Sequence, residues 1–189
     1  MSRNPLLERH TLPPFGEIRP EHVAPAVDTL LEELREGVEK LVAEAERDTP
    51  SWDSLAAPLE EMSDRLAQAW SPVSHLNSTM STPELREAHD GCLEKLSAYS
   101  TWIGQHEGLF RAWQALKDSP AFAELDEARQ RSVDNALRDF RLAGVDLPAD
   151  KKQRSAEIRT RLSSLSSTFS NQLLDATQAW ALELDDDSR

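Results

Sequence analysis

Apolar residues recur at helical spacing along most of this chain. Val27, Leu30, Leu31, Leu34, Val38, Leu41, Val42 and Ala45 form one stripe. Steps of three and four put such residues on one face of a helix. The helix opens at Arg19-Pro20-Glu21, with proline near the first helical position and acid in the first turn. Pro25 predicts a kink or restart, because its ring crowds the carbonyl of Glu21. Thr49-Pro50 closes the stretch. A second helix follows the cap Ser51 and carries Leu55, Leu59, Met62, Leu66, Ala69, Trp70, Val73 and Leu76. Pro72 inside it predicts a bend that frees the carbonyl of Gln68.

Thr82-Pro83-Glu84 starts a third helix, read as running through Leu85, Ala88, Cys92, Leu96, Tyr99, Ile103, Phe110, Trp113 and Leu116. Gly91, Gly104 and Gly108 lie within it, and close helix contact would compensate for their low propensity. Ser119-Pro120 starts a short turn. Asp126 caps a fourth helix with Val133, Ala136, Leu137 and Phe140, closed by a left-handed cap at Gly144. Pro148 is placed at the first position of a fifth. That helix, from Ala149 to Thr177, would be about 43 Å long. Its stripe of Ile158, Leu162, Leu165, Phe169, Leu173 and Ala176 is expected to be covered by the other helices, and so to organise the fold. Trp180, Leu182 and Leu184 then alternate with polar or small residues, which is a strand period.

The pattern predicts an all-α fold, an antiparallel bundle of about five helices. Residues 1–19 form an extended arm, residues 20–177 the helical domain, and residues 178–189 a short C-terminal strand stub. Leu6, Leu7, Leu12, Phe15 and Ile18 should anchor the arm.

With 189 residues, a hydrophobic share of 39% and a charged share of 29%, the composition is that of a folded domain. The net charge of −13 disfavours nucleic acid and anionic lipid as partners. No apolar run is long enough to span a membrane. The N-terminus lacks a signal-peptide core, and a lone Cys92 cannot form an internal disulfide. These features favour a cytoplasmic setting.

Several phrases carry a resemblance. They begin with Asn4-Pro5-Leu6-Leu7, Leu12-Pro13-Pro14-Phe15 and Ile18-x-Pro20-Glu21-His22-Val23-x-Pro25-Ala26-Val27. Ser71-Pro72-Val73-Ser74-His75-Leu76-Asn77-Ser78 and Pro83-Glu84-Leu85-Arg86 follow. Then come the run from Tyr99 to Leu109, Val133-Asp134-Asn135-Ala136-Leu137-Arg138-Asp139-Phe140, and Leu173-Leu174-Asp175-Ala176-Thr177. Together they resemble the N-terminal part of the thimet oligopeptidase family of zinc peptidases, from about Asn4 to Asp186. The resemblance implies a parent several times longer that hydrolyses short peptides. Its zinc site, a His-Glu-x-x-His helix plus a downstream glutamate, belongs to the C-terminal half. That motif is absent from this sequence, so no catalytic, cofactor-binding or metal residue is assigned here. The chain is expected to form a wall of the substrate channel and to bind no zinc by itself. Its partners would be the catalytic half and short peptides, with self-association through exposed surface as a further possibility. The alternative reading is a freestanding acidic helical-bundle interaction module.

Other candidates weigh less. His106-Glu107 would need a second histidine at position 110, which is Phe110. His106 is therefore read as structural or channel-facing. His89 and Cys92 share a helix face but make only half a ligand set, and are read as packing. His10 and His22 have no helical histidine partner. His75, beside Pro72, is read as bonding freed backbone groups, with peptide contact as its functional alternative. Glu32/Glu33, Glu60/Glu61 and Asp185–Asp187 read as solvated acid. Ser163, Ser164, Ser166, Ser167 and Ser170 have no nearby histidine in sequence. They read as a small-residue face that lets a neighbour approach. The tryptophans read as core or contact surface.

Overall fold

In a computed structural model, residues 3–182 are described, and they contain seven α-helices and no strand. The helices are α1 (Pro20–Arg47), α2 (Ala57–Thr79), α3 (Pro83–Gly104), α4 (Glu107–Asp118), α5 (Pro120–Ala123), α6 (Glu127–Ala143) and α7 (Ala149–Ala179). A 3₁₀ turn at Pro5–Leu7 and a π turn at Trp52–Ala56 complete the set. The all-α expectation holds, and the count rises from about five to seven. The stretch expected to be one third helix divides into α3 and α4, and the turn after Ser119 closes into α5.

The division has a local cause. The amide of Gln105 still donates to the Thr101 carbonyl, at 3.0 Å. His106 then leaves the helical region, with φ −77° and ψ 101°, and its Nδ1 accepts from the amide of Leu109 at 3.1 Å. An imidazole thus caps α4 in place of the usual hydroxyl or carboxylate. The nearby glycines are contact points. A Cβ on Gly104 would lie 2.9 Å from the Cβ of Ala143, and one on Gly108 would lie 2.7 Å from Cγ1 of Val42. Gly91 has nothing within 4 Å of that position, so close approach does not explain it.

α1 is the spine. It continues through Pro25 without the expected restart and buries nine side chains from Val23 to Val42. Two apolar clusters share it. One joins its first half to Leu6, Ile18, α2 and α3; the other joins its second half to the π turn, α4 and α6. Met62, Trp102 and Ile103 touch both clusters. In the arm, Leu6 and Ile18 are buried, whereas Leu12 is 80% exposed. The arm is held by Asn4, whose Nδ2 donates to the His22 carbonyl at 2.8 Å.

The two prolines of the second segment are absorbed differently. Pro58 has no amide hydrogen to offer the Ser54 carbonyl. Just before it the chain widens into the π turn, where the Ala57 amide reaches Trp52. Ser51 and Ser54 cap that turn reciprocally, each hydroxyl accepting from the other's amide at 3.2 and 2.9 Å. Pro72 is buried inside α2, which is unbroken there.

α6 ends at Gly144, which has φ 92° and ψ 29°, the left-handed cap the sequence predicts. The amide of Val145 returns to the Phe140 carbonyl at 3.1 Å. Pro148 is the cap residue of α7 rather than its first helical residue. The largest departure from expectation is α7 itself, which buries no residue completely. Its apolar stripe is open to solvent: Ile158 45%, Leu162 57%, Leu165 47%, Phe169 67% and Leu173 57% exposed. The core is organised by α1, and α7 lies on its outside against α3. The strand stub also differs. Residues 178 and 179 finish α7, Trp180 to Leu182 form no strand, and the rest of that stretch lies outside the described residues.

Candidate functional site

The polar side chains converge most strongly where α7 meets α3. α7 turns toward α3 a face of small and polar residues, among them Ala156, Thr160, Ser163, Ser167 and Asn171, all half-buried. Small side chains let the two backbones approach, and hydroxyl and amide groups then reach across. Asp90 of α3 is the hub. Its Oδ1 accepts from Ser167 Oγ at 2.7 Å and from His89 Nδ1 at 2.9 Å, and its Oδ2 accepts from Asn171 Nδ2 at 2.9 Å. His89 is buried, and its ring stacks on Trp70 with centroids 4.8 Å apart. One turn away, Arg86 grips Asp175 with both terminal nitrogens, at 2.9 and 2.7 Å. Near the start of α7, Lys152 Nζ donates to Glu107 Oε1 at 2.6 Å.

These contacts fix charge. Burial pushes the Asp90 carboxyl up, but the bonds from His89, Ser167 and Asn171, with the charge of His89, outweigh it and hold the group below the usual carboxylate range. The bond from Arg86 does the same for Asp175, and the bond from Lys152 for Glu107. The junction is therefore built around ionised carboxylates. Beside it runs an open groove of about 760 Å³, lined in part by Asp90, Glu94, Arg161 and Thr168.

The chemistry of this cluster is structural. Ser167 donates to the carboxylate and not to the imidazole, and both use the same oxygen. His89 is thus not placed to take the serine proton, which nucleophilic catalysis requires. The serine face foreseen in the sequence does admit a neighbour, through Ser163 and Ser167; Ser164, Ser166 and Ser170 are exposed.

The other candidates are dispersed. His106 caps α4, lies 3.2 Å from Glu39 through Nε2 and meets the Trp102 ring edge-on. Phe110 is buried in the core. Cys92 is fully buried, and burial pushes its thiol up. His10 Nε2 lies 3.1 Å from the Pro5 carbonyl, and His22 Nδ1 accepts from the Arg19 amide at 3.1 Å. His75 packs on Phe15, with ring centroids 5.4 Å apart. Glu33 and Glu61 pair with Arg65 and Arg9. Trp113 is buried, Trp52, Trp70 and Trp102 pack half-buried against the two clusters, and Trp180 is 71% exposed. Asp185–Asp187 lie outside the described residues. Among the described residues, no group of three or more His, Cys, Asp or Glu is placed to hold a metal ion. Among the described residues, no helix is long and apolar enough to cross a membrane.

Sequence reasoning missed Asp90 and its partners. The signal was present in the polar residues recurring at three and four along the far side of α7, but they read as solvated.

Comparison with known proteins places this architecture. The family described as Neurolysin/Thimet oligopeptidase, N-terminal domain, matches residues 27–152. Oligopeptidase A of Escherichia coli is 51% identical over 185 residues, covering 98% of this chain and 27% of that protein. Oligopeptidase A of Haemophilus influenzae is 49% identical over 177 residues, covering 94% and 26%. A probable cytosolic oligopeptidase A of Arabidopsis thaliana is 36% identical over 178 residues, covering 94% and 25%. The chain thus spans about a quarter of the length of these relatives. It belongs to the neurolysin/thimet oligopeptidase family, as an N-terminal segment of that family's proteins.

Proposed function

We propose that this chain is the N-terminal helical portion of a cytoplasmic zinc endopeptidase that hydrolyses short peptides, and that it forms part of the wall of the substrate channel. The collinear match of nearly the whole chain to about a quarter of oligopeptidase A carries this reading. The resemblance assigns zinc, and the chemistry of polarising a peptide carbonyl and activating water, to the remainder of the parent. The described residues here do not fit a zinc site: His106 is committed to a helix cap, and Cys92 is sealed in the core. No catalytic step is therefore derived through them. This chain's part is to present a rigid face, exclude folded substrates by bulk, and hold the catalytic remainder.

Two measurements test the proposal. Purified 1–189 should contain no stoichiometric zinc and should not cleave an internally quenched peptide; turnover by this chain alone would overturn it. E. coli oligopeptidase A with its matching N-terminal 27% replaced by this chain should cleave the same peptide. A folded chimera without activity would count equally against the reading.

A further inference from the structure

The seam of Ile158, Leu162, Leu165, Phe169 and Leu173 runs about 22 Å along the outer side of α7. α7 cannot roll to bury it, because Asp90, Arg86 and Glu107 hold the opposite face at three points along its length. The family's N-terminal-domain match ends at residue 152, four residues into α7, while the relatives' alignment covers nearly all of the chain. α7 therefore stands at the border between that domain and the polypeptide that makes up the rest of the relatives. The seam also has a charged flank. Arg161, exposed one turn before Leu165 at the rim of the groove that Asp90 and Glu94 also line, has no ion pair among the described residues; Arg154, near the start of the seam, pairs there with Glu157.

We infer that this outer face is the seat of an amphipathic helix from the catalytic remainder, one with an apolar stripe and an acidic flank set against Arg161. The inference rests on the reading of the chain as part of a longer peptidase. A second copy of α7 fits less well. Beyond Glu157 the only acid in α7 is Asp175, which faces inward and is taken by Arg86, so a paired copy offers Arg161 no partner. A net charge of −13 also opposes association of two copies.

The test uses a Leu165→Cys label site, since the native thiol at position 92 is buried. A maleimide should modify Leu165→Cys rapidly in the 1–189 chain, and at least about tenfold more slowly in the chimera with the E. coli remainder. Equal rates overturn the docking. Adding Arg161→Glu should restore fast labelling in the chimera; no change removes the acidic flank from the proposal. An inactive chimera with slow labelling defeats the functional reading alone, and an active chimera with fast labelling defeats the docking alone. A measurement on 1–189 keeps the proposal testable if the chimera does not fold. Leu165→Asp with Phe169→Asp should abolish binding of a hydrophobic dye and leave Tm within about 2 °C. A larger fall would show that the seam is used inside this chain, against the inference. A concentration-dependent dimer in sedimentation, lost in the same variant, would assign the face to a second copy instead.

Discussion

α1 and α7 are close in length, 28 and 31 residues, and both carry an apolar stripe at helical spacing. They are packed in opposite senses. α1 turns Val23, Leu30, Val38 and their neighbours inward and leaves its charged side in water. α7 turns Ser167, Asn171 and Asp175 toward α3 and leaves Leu165 and Phe169 exposed. Each fully buried leucine or valine of α1 contributes about 1.5–3 kcal/mol. A hydrogen bond onto Asp90 contributes about 1 kcal/mol. α1 is thus the part whose burial drives folding, and α7 is held at the edge by polar contacts with its stripe exposed. Amphipathic spacing tells which residues share a face. It does not tell which of the two faces meets the rest of this particular chain.

The comparison can be broken first at α1. Leu30 is fully buried, and Leu30→Ala should cost about 3 kcal/mol in urea unfolding. A cost below about 1 kcal/mol would show that α1 is not the spine. Next is the joint between α6 and α7. Gly144→Ala puts a Cβ on a residue at φ 92° and 2.6 Å from Cδ1 of Leu147, so it should cost about 1–2 kcal/mol. An unchanged urea midpoint would mean that the joint does not fix the entry of α7. Asp90→Asn should cost about 1 kcal/mol, since solvent reaches one side of that carboxylate. Hydrogen exchange should quicken in α7 while α1 stays protected; uniform change in both helices would contradict the separation. The smallest effect is expected for Leu165→Ala, below about 0.5 kcal/mol, because the side chain is half in water already.

Acid should separate the same two helices. Asp90, Asp175 and Glu107 all have carboxyls held below their ordinary values. A depressed folded pKa contributes stability that is present above the unfolded value, near 4, and lost as pH falls through the folded one. Protection factors of α7 should therefore drop below about pH 4, before those of α1 change. Simultaneous loss would show that α7 is not held by these groups.

Much of the scaffold was legible because its signals are local. The proline starts at Pro20 and Pro83, the caps Thr82 and Asp126, and the left-handed Gly144 each act through neighbours in sequence, and each is found in place. The break between α3 and α4 was hidden because its cap is a histidine, a residue rarely read that way. Pro72 is accommodated within a continuous α2, which is packed into the first cluster around it. Burial of the α7 seam was the chief error. The stripe is real, but Asp90 and Arg86, about 80 residues earlier, choose the polar side. That choice depends on a long-range pairing that no spacing rule reports. The junction was illegible for the same reason.

Among the described residues, Met62, Trp102 and Ile103 pack against both clusters strung along α1, and the sulfur end of Met62 fills the space above Gly37. The molecule therefore has a waist. Trimming that layer at Met62 should weaken the coupling between the halves and broaden the calorimetric transition.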